Sequence, residues 1–84
     1  MKLFLLRPKN GSEEMGAWNP WYDKCFGFVI RAETEQRARE IADADAGDEN
    51  REENHPWLDP EQSTCTELTA EGKEEQIIKD FNAA

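Results

Sequence analysis

The sequence predicts a small α+β domain: a three-stranded antiparallel sheet in β-β-α-β order, spatial order 2-1-3, with one helix packed on one face and long loops. Three observations predict it. Lys2 to Arg7 is apolar at nearly every position and stops at Pro8, the pattern of a strand covered on both faces. Phe26, Phe28, Ile30 and Ala32 then recur at every second position, the period of a strand with one covered face. By Thr34 the period has changed. Its hydroxyl can cap free helix amides, Glu35 sits in the first turn, Ala38, Ile41 and Ala42 fall on one stripe, and Gly47 stands where a helix commonly stops.

Eighty-four residues make one domain, 1–84, with a thin core and no deep enclosed pocket; a domain of this size buries only roughly 60% of its unfolded surface. Three Trp, four Phe and one Tyr within 37% apolar residues argue for a folded chain despite 35% charged residues. The formal charge of -9 is uneven. Residues 1–32 hold five basic and three acidic side chains, whereas residues 33–84 hold five basic and sixteen acidic.

Between the first two strands, residues 8–25 carry Pro, Gly and Asn, which break regular structure, together with Trp18, Trp21 and Tyr22, which are costly to leave in water. A long loop with aromatic anchors is expected. Without a cover of its own, the sheet face away from the helix would take the tryptophan loops. After the helix, residues 43–54 hold six carboxylates against the single Arg51 and nothing apolar larger than Ala, so the segment is expected to be exposed and mobile. His55 to Gln62 returns to the core through Trp57 and Leu58, and Asp59 before Pro60 with Gln62 three on reads as a small capped turn. Thr64 to Leu68 reads as a second such turn or, alternatively, as a short β-segment of alternating Thr. The last strand is placed at Gln76 to Phe81. A right-handed crossover through the helix makes the third strand parallel to the second, and the apolar first strand then lies between them.

No motif in the chain specifies catalysis. Cys25, His55, Asp59 and Cys65 lack the close pairs that structural zinc sites show, the two cysteines read as thiols more readily than as a bridge, and no glycine loop cradles a phosphate, so no metal or cofactor is expected. The single histidine has no elbow serine or cysteine beside it, and an enzyme is not expected. Leu3 to Leu6 is too short for a signal-peptide core or a membrane span, so a cytoplasmic protein is expected. Net charge opposes direct nucleic-acid binding, since phosphate contacts supply most of such affinity. Carboxylates over a folded surface can instead imitate a phosphate track and suit a basic protein or nucleoprotein complex. The expected contact residues are Asp43, Asp45, Asp48, Glu49, Glu52 and Glu53, with Trp21 and Trp57 as aromatic anchors. No oligomeric state is implied.

The run F-V-I-R-A-E-T-E-Q-R-A-R, followed by W-L-D-P, T-C-T-E-L and I-I-K-D-F-N, resembles small orphan proteins of bacteria and their phages that share a V-x-R-A-x-(D/E)-E-x-x-A-R strand–helix start. That resemblance carries no activity. In size, acidity and element order the chain is also similar to phage anti-CRISPR proteins, which implies a non-enzymatic counter-defence inhibitor acting in the host bacterial cell. The alternatives are an interaction module of bacterial or prophage origin without inhibitory role and, more remotely, a small enzyme or metal-binding protein.

Overall fold

The computed structural model describes residues 1–9, 16–19, 23–51 and 53–81. Three strands, β1 (Lys2–Pro8), β2 (Phe28–Ala32) and β3 (Ser63–Leu68), form one sheet in the order β2-β1-β3, and α1 (Glu35–Ala44) lies between β2 and β3 in sequence. Both pairings with β1 are antiparallel, so the expected fold class and strand order hold. Leu5 stands opposite Val29 on one side and Thr66 on the other.

The third strand is not the one the apolar pattern selected. Gln76 to Phe81 forms no strand and is exposed throughout, while Ser63–Leu68 pairs with β1 over six positions. Ser63 emerges directly from the turn that Asp59 organises. Asp59 Oδ1 accepts from the Glu61 amide at 2.8 Å and Oδ2 from Gln62 Nε2 at 2.9 Å, which aims the following residues at the free edge of β1. The turn at Asp59 is therefore as expected, whereas the turn expected at Thr64 to Leu68 is corrected to a strand.

The helix begins as its sequence directs. Thr34 is extended, and its Oγ1 accepts from the Arg37 amide at 3.1 Å. It ends before Gly47: Asp45 caps it, its amide donating to Ala42 O at 3.1 Å. Ala38 and Ala42 are fully buried, and Ile41 packs at the edge of the core. With methyl groups at the contact, the helix can approach the sheet closely.

Phe4, Leu6, Ile30 and Ala32 supply the sheet side of this core. Trp18 and Trp57 fill the rest, both fully buried. Trp57 is the hub, meeting Trp18 edge-to-face at 5.2 Å and Phe28 at 5.0 Å between ring centroids. Such geometry adds about 1 kcal/mol per pair to the area burial. The two described tryptophans therefore lie on the helix side of the sheet, not over its other face as expected. Trp21 and Tyr22 fall outside the described residues.

A charged residue completes this layer. Arg39 is 4% exposed, and its guanidinium donates to Trp57 O at 2.9 Å, Ser63 Oγ at 2.8 Å, Ser63 O at 3.2 Å and Glu35 Oε2 at 3.0 Å. It ties α1 to the Pro56–Leu58 turn and to the first residue of β3.

Candidate protein-docking surface

The acidic segment after α1 is shaped by one residue that turns inward. Glu49 has no exposed surface; its Oε2 accepts from Trp57 Nε1 at 2.6 Å, and its Oε1 accepts from the amides of Cys25 and Gly47, each at 3.1 Å. Three N–H donors converging on one carboxylate balance much of its burial cost. The segment is not the anchorless loop its composition suggests. Glu49 is its anchor, and both Glu49 and Trp57 are corrected from surface to core, where neither can touch a partner.

Further contacts stitch the segment to residues 23–25. The Asp48 amide donates to Asp23 O at 2.7 Å, and the Asp23 amide donates back to Asp48 Oδ2 at 3.3 Å. Gly47 permits this approach, because a Cβ there would collide with the Asp23 carbonyl. Asp43 works locally too. Its Oδ1 accepts from Asn50 Nδ2 at 2.9 Å and lies 2.8 Å from His55 Nδ1, joining the last helical turn to the far end of the loop.

Asp45, Asp48 and Glu53 remain as exposed carboxylates of the expected surface, with Asp43 partly covered beside them. Glu52, like Trp21, lies outside the described residues. Of the exposed carboxylates, Asp45 is the C-cap of α1, whose last turn holds no basic residue, and Asp48 follows three residues on. The helix macrodipole leaves about half a negative charge at that end, so carboxylates there work against helix stability. Arg51, whose Nε donates to Asp48 O at 3.3 Å, lies beside them, and His55 stands against Asp43.

The residues weighed for chemistry are committed elsewhere. Cys25 and Cys65 are free thiols. Burial pushes both up from the ordinary thiol range; Glu49 and Asp45 add to this at Cys25, and Glu35 adds to it at Cys65. That is the reverse of the environment that makes a reactive thiolate. The Ser63 hydroxyl donates to Pro56 O at 2.7 Å and accepts from Arg39. Asp59 is held below the usual carboxylate range by the Gln62 side chain and the Glu61 amide. Among the described residues no three His, Cys, Asp or Glu side chains stand together as a metal site, and no helix is long and apolar enough to cross a membrane.

Sequence reasoning missed Arg39 and the inward turn of Glu49. For Arg39 the signal was weak, since it follows Ala38 directly but at about 100° per residue falls roughly 60° beyond Ala42, at the margin of the buried stripe. Glu49 carried no such signal. No protein-family model matches the chain, and comparison with curated proteins and with solved structures finds no match to either.

Proposed function

We propose that the protein is a non-catalytic binding protein that engages a basic, nucleic-acid-handling protein complex through the acidic rim at the end of α1, acting as a counter-defence inhibitor of the anti-CRISPR type. The observation that carries the basic-partner reading is the arrangement of Asp43, Asp45 and Asp48 around a helix end with no basic residue in its last turn. Selection for stability alone favours Lys or Arg there. A field retained against that preference supports an external cation as its counterpart. The counter-defence part rests on the likeness in size, acidity and element order.

The rim contributes mainly to encounter rate, because exposed charges are screened beyond roughly 8 Å at physiological salt. Glu49 and Trp57 act from inside by fixing the loop that presents Asp45 and Asp48. The test is inhibition of target-DNA binding by a panel of CRISPR effector complexes, comparing the parent with an Asp45→Lys/Asp48→Lys/Glu53→Lys variant. Inhibition by the parent that falls with salt and disappears in the folded variant is expected. Equal inhibition by both would refute the acidic rim, and a panel untouched by the parent would refute the counter-defence role.

A further inference from the structure

The sheet face away from α1 is bordered by the segment that follows β3. Leu5, Arg7 and Val29 project from that face, where the β1–β2 register and the two-residue period place them. Together with Ile78 and Asp80 they line an open groove of about 430 Å³, which therefore lies between the sheet and the later segment. Val29 is 61% exposed and Ile78 44%, so two aliphatic side chains share the groove without covering each other. The Arg7 guanidinium lies over Gly27, where a Cβ would come within 3.0 Å of Nη1, and that same Nη1 stands 4.0 Å from Asp80 Oδ2, the outer limit of an ion pair.

The segment is weakly held. Residues 70–81 are exposed throughout, and among the described residues no hydrogen bond joins 72–81 to any of the three strands. Its side chains nevertheless divide by position. Ile78 and Asp80 line the groove, whereas Ile77 and Phe81 are exposed and Lys79 Nζ stands 5.4 Å from the Phe81 ring centroid. At the start of the segment Gly72 has a φ of 141°, which L side chains rarely adopt, with open space around it. The chain can change direction there without a clash.

We infer that residues 73–81 are a strap, hinged at Gly72, that closes onto the open sheet face by drawing Asp80 onto Arg7 and Ile78 onto Val29, and that the groove is the space it shuts. Closure removes two exposed aliphatic groups from water. Ordering the segment costs conformational entropy. These effects oppose each other, so the Arg7–Asp80 attraction tips the balance, and salt weakens that attraction. The strap is thus a salt-sensitive cover: closed it hides Val29, and open it leaves Leu5 and Val29 as an apolar strip beside a cation. It uses no residue of the acidic rim and stands apart from the function proposed for that rim.

Solution NMR on the full chain with labelled methyl groups tests the strap. At low ionic strength the parent should show a nuclear Overhauser effect between the Ile78 and Val29 methyls. At about 1 M salt, where screening falls to roughly 3 Å, that effect should be lost and the backbone of 73–81 should relax as free chain. Asp80→Lys should lose the effect at low salt too, and the charge swap Arg7→Asp/Asp80→Arg should restore it. Should Arg7→Asp unfold the domain, Ile78→Ser on the exposed strap replaces the swap: residues 73–81 should then relax as free chain at low salt while the β1 amides stay protected. Absence of the Ile78–Val29 effect in the parent at low salt overturns the inference. So does an effect unchanged by both salt and Asp80→Lys, or relaxation of 73–81 identical in the parent and in Ile78→Ser. An effect that arises between labelled and unlabelled copies in a mixed sample would overturn it as well, by making the contact one between molecules.

Discussion

Glu49 Oε2 and Trp57 Nε1 meet at 2.6 Å in the interior, joining the acidic loop to the aromatic centre of the core. The composition of residues 43–54 points outward, yet this bond turns one carboxylate in and leaves its neighbours displayed.

Glu49→Ala should therefore behave as a core substitution. It leaves the Trp57 indole and two amides without their acceptor, at about 1–3 kcal/mol for each buried donor left unmade. A loss of at least about 3 kcal/mol in chemical denaturation is expected, with a shift in tryptophan emission. A melt equal to that of Asp48→Ala would refute the anchor.

Arg39→Lys should not rescue Arg39→Ala. Four acceptors surround the guanidinium in a fixed fan, which a single ammonium cannot match. Both variants should lose stability, by about 3 kcal/mol or more for the alanine, whose removal of the charge also frees Ser63. Full stability of Arg39→Lys would show that charge alone matters.

Asp45→Lys should have opposite effects on stability and binding. Replacing a carboxylate at the C-cap of α1 by a cation should raise stability by about 0.3–1 kcal/mol, while association with a basic partner slows. A variant that is both less stable and unimpaired in binding would contradict the reading of the rim as frustrated.

Amide exchange should be slow at Cys25, Gly47 and Asp48, which donate to Glu49 or Asp23. Asp43→Ala, which removes the carboxylate shared by Asn50 Nδ2 and His55 Nδ1, should speed exchange across residues 47–51 without melting β1. Rapid exchange at Asp48 in the parent would show that the loop opens freely.

The thiols contribute to the alkaline side of the stability profile. A folded-state pKa raised above the unfolded value means the fold favours the protonated form. Stability is then complete below the ordinary thiol range, about pH 8.5, and declines as pH rises through it toward the folded value. Asp59 has the opposite sign: its lowered pKa adds stability above the usual carboxylate range that is lost as pH falls through it. Cys25→Ser and Cys65→Ser together should flatten the alkaline decline, and alkylation at pH 8 should be slower in the native than in the unfolded chain.

By itself the sequence determined the elements whose causes are local. The two-residue period from Phe28, the cap at Thr34 and the stripe through Ala38 and Ala42 act within a few residues, so β2 and α1 could be placed before any contact was known. The tertiary structure decided what depends on distant partners. Whether Ser63–Leu68 or Gln76 to Phe81 completes the sheet turns on which segment can reach the free edge of β1, and only the first leaves the Asp59 turn aimed at it. Whether a carboxylate lies inside or outside turns on donors. Glu49 finds them on Cys25, Gly47 and Trp57, up to twenty-four residues away, while Asp45 stays at the surface. A charged residue carries the same letter in either place, and the free energy that separates the two belongs to groups that only folding assembles.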